Sequence, residues 1–162
     1  MGETEQTEQP RRLVAIVAAR NEADSVGATL GALAAALPGI ELWLADDASG
    51  DGTAERAMAA GATVIGRRRP HGKGGNVTAA AEAMLSAGRE PGLVLLCDAD
   101  LGDSAAALAR LVEAVEADEC DLAIAAFAQR LGGGFGVALG FAGWTIKRLC
   151  GAEPMAPISG QR

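Results

Sequence analysis

Hydrophobic positions change period at regular intervals along the chain, and the changes mark out elements. Residues 13–18 form a short apolar run of strand length. Asn21-Glu22-Ala23-Asp24 interrupts it, and Asp24 or Ser25 is placed to cap a helix reaching about Leu37. Val26, Leu30, Leu33 and Leu37 fall on one face of that helix, and Pro38-Gly39 ends it. A second strand is expected over 40–45, closed by Asp46-Asp47, then a turn over 48–52 and a short Ala-rich helix from Thr53 to Gly61. A third strand follows over 62–65, then a basic, glycine-rich loop over 66–75 and a helix over 76–87 ended by Gly88. Pro91-Gly92 introduces a fourth apolar run, 93–97. A fourth helix is expected from Ser104 to about Ala117, with Leu108, Leu111, Val112 and Val115 inward, and a fifth strand over 121–126. Beyond Phe127 the pattern weakens: Gly132-Gly133-Gly134 is a break, 135–150 reads as a final helix, and 154–162 is irregular.

Strand-to-helix units in series predict an α/β fold, a Rossmann-like, doubly wound, mostly parallel sheet flanked by helices. Ligands of such sheets bind beyond the carboxyl ends of the strands. The expected ends carry residues 18–22, then 46–53, then the 67–75 loop, then Asp98-Ala99-Asp100, then 127–130, so polar and charged groups gather on one rim. Asp98 and Asp100 repel each other there. A hard divalent cation would use both, with phosphate oxygens completing its shell; a solvated turn with a helix cap is the competing reading. Gly72-Lys73-Gly74-Gly75 is open to two readings, a loop whose backbone approaches an anion or a mobile basic loop. No GxGxxG follows the first strand and no GxxxxGK[ST] occurs. His71, the one histidine, has no partner for a nucleophilic triad in the pattern.

Composition narrows the class further. A length of 162 residues predicts one domain, here 13–162 behind a disordered tail over 1–12. With few aromatics and no tyrosine, the core must come from Leu, Val, Ile and Ala. A net charge of −7 argues against nucleic acid as a partner. Cys97, Cys120 and Cys150 are odd in number and widely spaced, which argues for a reducing compartment and against a zinc site. The polar N-terminus has no signal-like apolar stretch, and no run nears the ~18 apolar residues of a membrane span. A cytoplasmic location is expected, with peripheral contact at the inner face of the membrane as an extension. A five-stranded α/β domain normally closes with another helix or strand, and because the chain stops just after Ser159-Gly160-Gln161-Arg162 it is expected to be C-terminally truncated.

The ordered series Asn21-Glu22, Asp46-Asp47-Ala48-Ser49-Gly50-Asp51-Gly52-Thr53, Gly72-Lys73-Gly74 and Asp98-Ala99-Asp100-Leu101 resembles the family 2 glycosyltransferases of the GT-A fold. The segment 157–162 is similar to the Ser-Gly-containing segment of the polyprenyl-phosphate sugar transferase branch, which is like dolichol-phosphate mannosyltransferase. The resemblance implies a sugar transferase using a nucleotide-diphosphate-sugar and Mg²⁺ or Mn²⁺, with a lipid phosphate as acceptor. Ala18, Arg20 and Glu22 would border the nucleotide, although Ala18 and Arg20 stand where the family usually has Pro and an aromatic. Asp46 or Asp47 would contact base or ribose, Lys73 the donor phosphates, and Ala99 the ribose. Asp98 and Asp100 would hold the metal; Gly102 replaces a frequent Gln ligand, with Asp103 as a substitute. Arg130 and Arg162 would meet the acceptor phosphate or the donor diphosphate. No catalytic residue is implied, since an anionic acceptor oxygen needs no strong base. Two alternatives stand beside this: a nucleotide-sugar-binding module without turnover, and another transferase such as the glucosyl-phosphoglycerate synthase type. A nucleotidyltransferase would need a glycine-rich loop after the first strand, and 18–25 contains none.

Overall fold

A computed structural model describes residues 11–125 and Arg148. The expectations for 1–10, for the break at 132–134 and, Arg148 apart, for the final helix lie outside the described residues. One compact unit runs to Ala109 and a second begins at Arg110.

The first unit is built on β1 (Leu13–Ala19), buried along all but its first residue. A strand covered on both faces must be apolar at every position rather than at alternate ones, which is why 13–18 reads as a continuous run. It pairs in parallel with β2 (Glu41–Asp46) on one side and β4 (Leu93–Asp98) on the other, and β3 (Thr63–Gly66) extends the sheet beyond β2. The strand order is β3-β2-β1-β4, all parallel, as the alternating pattern predicts. Gly92 crosses so close to Arg11 that a Cβ there would lie 2.7 Å from the Arg11 side chain, so only glycine fits that entry to β4.

The helices cover this sheet. α3 (Gly72–Ser86) lies against β1 and β2, where Ala80 and Met84 join Val14, Ile16, Trp43 and Ala45 in one apolar cluster. α1 (Val26–Ala36) lies against α2 (Thr53–Ala59) and against a 3₁₀ helix, Gly102–Leu108. Ser25 is the residue before α1, as expected, but its hydroxyl donates to the Glu22 carboxylate rather than capping a helical N–H.

Three expectations are corrected. The third helix starts at Gly72, not Asn76, so the glycines expected in a loop form its first turn. The fourth helix is divided. Its first half is 3₁₀, and only Ala109–Glu116, α4, is α-helical. Ala105 and Leu108, both buried and three residues apart, fall on one line of this 3₁₀ helix. Finally, 121–125 forms no strand. In the second unit α4 closes with Asp118 in a left-handed conformation, and Leu122 and Ile124 beyond it stay exposed. Without burial of those side chains an extended segment gains little to offset its ordering.

Candidate functional site

Parallel register levels the strand ends. Ala18 stands opposite Asp98 across β1 and β4, and Ala19 opposite Asp46 across β1 and β2. β1 lies where the strand order reverses, β2 and β3 to one side and β4 to the other, and such a switch point opens a crevice. A cleft of about 320 Å³ lies here. It brings together Ala18, Arg20, Glu22, Asp47, Lys73, Asp98, Ala99 and Asp100 of the residues expected from sequence, and adds Ala19, Gly72 and Asn76. Arg130 and Arg162 lie outside the described residues.

Asp46 does not line the cleft. It is buried and accepts the backbone N–H and the hydroxyl of Ser49, closing the turn after β2. Asp47 does line it, yet both of its oxygens are engaged: the N–H of His71 donates at 2.8 Å and that of Gly72 at 3.1 Å. A carboxylate carried in from another strand thus satisfies the free N–H groups at the start of α3 and sits at the positive end of its dipole. This is why the glycines of 72–75 are helical.

The rest of the 46–53 motif latches the β1 loop. The N–H of Asn21 donates to Ser49 Oγ at 2.9 Å, and Gly50 N–H returns a bond to Asn21 Oδ1 at 3.0 Å. Glu22 N–H donates to Thr53 Oγ1 at 2.8 Å, and Ala23 N–H to Asp51 Oδ2 at 3.1 Å. Asn21 and Ala48 both take left-handed φ values, 55° and 61°, to allow this. The Thr53 hydroxyl first, then the Ala23 N–H, holds the Asp51 carboxyl below its ordinary value of 3.8. The motif therefore serves first to position Arg20 and Glu22.

At the end of β4, Lys73 Nζ forms an ion pair with Asp98 Oδ1. Both partners are partly exposed, so the pair is worth no more than about 1 kcal/mol and opens easily. Ala99 and Gly102 are held by one side chain from α1. Thr29 Oγ1 donates to Ala99 O at 2.7 Å and accepts from Gly102 N at 2.8 Å. Thr29→Val keeps the shape but strands both backbone groups. It is expected to lower stability by about 2 kcal/mol in urea unfolding and to weaken cation binding at the turn. Cys97 just beneath is 1% exposed, and burial, then the Asp98 charge, pushes its thiol up to about 12. It stays protonated and unreactive.

The donor set at the turn suits a hard cation. Asp98 and Asp100 supply carboxylate oxygens into one cleft, and the ammonium on Asp98 marks a place where positive charge is already stabilised. Among the described residues no third His, Cys, Asp or Glu groups with them. The remaining positions would fall to water or to phosphate oxygens, as such ions accept.

Compared with known families, residues 14–147 match the model for glycosyl transferase family 2. The chain belongs to glycosyltransferase family 2. Solved structures similar to this glycosyltransferase chain include glucosyl-3-phosphoglycerate synthase from Mycobacterium tuberculosis, at 26% identity and a TM-score of 0.53, covering 65% of this chain and 40% of that one. A complex of the same synthase with Mn²⁺, UDP-glucose and phosphoglyceric acid superposes over 94% of this chain and 55% of that one, with a TM-score of 0.70 at 22% identity. The chain spans about half the length of these structures or less. A comparison with curated proteins finds no match. No helix among the described residues is long and apolar enough to cross a membrane.

Two polar residues that shape the family 2 cleft escape a motif search. Thr29 and Asn76 are fully buried within the apolar stripes of α1 and α3. Their signal is a polar side chain in the inward register of a helix, which the amphipathic pattern exposes once the helix bounds are right.

Proposed function

We propose that this chain carries the donor half of a metal-assisted glycosyltransferase. It takes a nucleoside-diphosphate sugar of the UDP-glucose kind and transfers the sugar to a small phosphorylated acid. The observation that supports this most is the meeting of Lys73, Asp98 and Asp100 in one cleft at the switch point of the sheet. Asp98 and Asp100 would hold Mg²⁺ or Mn²⁺, and the ion when bound supplies Lewis-acid stabilisation of a diphosphate leaving group. Lys73 places a mobile positive charge beside it, at the start of α3. Ala18, Ala19 and Ala99 offer a small apolar wall against which a flat ring lies. Arg20 and Glu22, fixed by the latch to the second loop, border the opening.

A phosphoglycerate-type acceptor is favoured because the similar solved structures carry phosphoglyceric acid or glycerol 3-phosphate. The polyprenyl-phosphate acceptor has only the 157–162 segment behind it, outside the described residues. The test is transfer from UDP-glucose in Mn²⁺, with 3-phosphoglycerate and a polyprenyl phosphate offered separately and products read by mass spectrometry. Glucosyl-phosphoglycerate supports the reading, and product on the lipid alone replaces the acceptor. UDP binding with no product from either would make the chain a donor-binding module.

Lys73 gives a prediction of opposed sign. In the free protein it competes for Asp98, and with donor bound it turns to the phosphates. Lys73→Ala is expected to weaken UDP binding roughly 10-fold, the loss of one charge-assisted bond at a partly exposed site. Binding of Mn²⁺ alone should be unchanged or tighter, as read by Mn²⁺ paramagnetic resonance. Weaker binding of both would contradict the competition.

A further inference from the structure

α3 carries one side chain that the fold itself does not explain. The buried positions on this helix are Asn76, Ala80 and Met84, four residues apart, so a carboxamide takes the first place in an apolar stripe. Asn76 is 1% exposed, and neither Oδ1 nor Nδ2 has a hydrogen-bond partner among the described residues. An apolar side chain of similar size would avoid the penalty of burying an unpaired amide. Asn76 also lines the cleft, one turn into the 15-residue helix whose first turn brings Lys73 to the same place.

We infer that Asn76 reads the nucleobase of the donor, its carboxamide pairing with the adjacent N–H and carbonyl of an imide edge such as that of uracil. The inference rests on the donor reading above and names the residue that gives it base selectivity. The other polar side chains of the cleft, Arg20, Glu22, Asp47, Lys73, Asp98 and Asp100, are all charged. Asn76 is neutral and deep, whereas Lys73 and Asp98 are partly exposed. A diphosphate, charged and strongly hydrated, belongs at that exposed end with a cation. A neutral ring edge belongs at the buried end, where a neutral group can match it without stranding a charge. A carboxamide presents a donor and an acceptor side by side, and an imide edge presents the complement. The buried Ala18, Ala19 and Ala99 give the ring an apolar surface.

The experiment titrates wild type, Asn76→Ala and Asn76→Leu with UDP, N3-methyl-UDP and pyrophosphate, each in Mn²⁺, by calorimetry. Wild type is expected to bind UDP roughly 10- to 100-fold tighter than N3-methyl-UDP, the range for two hydrogen bonds. Both variants should lose that discrimination, while pyrophosphate affinity stays within about twofold because no contact to phosphate is removed. Asn76→Leu should also raise the thermal midpoint of the free protein. Unchanged UDP affinity in the variants would overturn the inference, as expected of an amide satisfied by water. A parallel loss of UDP and pyrophosphate would overturn it too, by assigning Asn76 to the shape of the cleft. A wild type that binds UDP and N3-methyl-UDP equally sinks the inference alone; one that binds none of the three sinks the donor reading with it.

Discussion

Asp100→Asn is expected to abolish Mn²⁺-dependent binding of UDP while leaving the thermal midpoint of the protein unchanged. The two effects separate because Asp100 is exposed at the mouth of the cleft and contributes no packing. An amide of the same shape keeps the turn, which Thr29 fixes through Ala99 and Gly102 rather than through the carboxylates. What is lost is one of two anionic ligands, and a hard cation binds neutral amide oxygen far more weakly than carboxylate. With several kcal/mol of charge stabilisation depending on the ion, a fall of at least about 100-fold is expected. Calorimetry in Mn²⁺ and in EDTA checks it: wild type should differ between the two buffers and the variant should not. Unchanged affinity of the variant in Mn²⁺ would remove the metal from the site. Asp98→Asn should lose metal binding equally, but it also releases Lys73, so its affinity for UDP in EDTA should match or exceed that of wild type.

The strands were readable because a parallel sheet buried on both faces leaves uninterrupted apolar runs, and the acidic residues were readable because each follows such a run. Asp98, Asp100 and Lys73 meet as the topology implies, although Asp98 ends β4, Asp100 follows it, and Lys73 lies on α3, 25 positions before Asp98. What local pattern could not show was the assignment of neighbouring carboxylates to different tasks. Asp46 and Asp47 are adjacent and chemically identical, yet one closes its own turn and the other holds a helix 24 residues away. Gly72 and Gly74 argue against a helix by propensity, and the tertiary bond from Asp47 overrides it. The expected strand fails over its described part, 121–125, for the converse reason: Leu122 and Ile124 stay exposed there, so a β-like sequence has little burial to stabilise it.

Asp47→Ala follows from that override and is the substitution with the largest expected effect on the fold. Two backbone N–H groups, of His71 and Gly72, lose their acceptor at a position where the carboxylate is 5% exposed. Bonds to a charged acceptor contribute about 1.5–3 kcal/mol each, so a loss of about 3 kcal/mol in urea unfolding is expected after water recovers part of it. The loss should be local before it is global. Hydrogen exchange at 71–76 should accelerate more than exchange in β1, because the first turn of α3 is glycine-rich and holds its geometry only while capped. Asp47→Asn should fall between the two, since its amide keeps one acceptor and turns two donors toward N–H groups. The consequence for the site is then forced by connectivity. Lys73 and Asn76 both belong to that turn or the next, so fraying it withdraws the cation from Asp98 and the amide from the cleft together. UDP affinity should therefore fall in Asp47→Ala through the helix, without any contact between Asp47 and the nucleotide. If affinity falls with no change in exchange at 71–76, Asp47 touches the ligand itself, and the capping account is wrong.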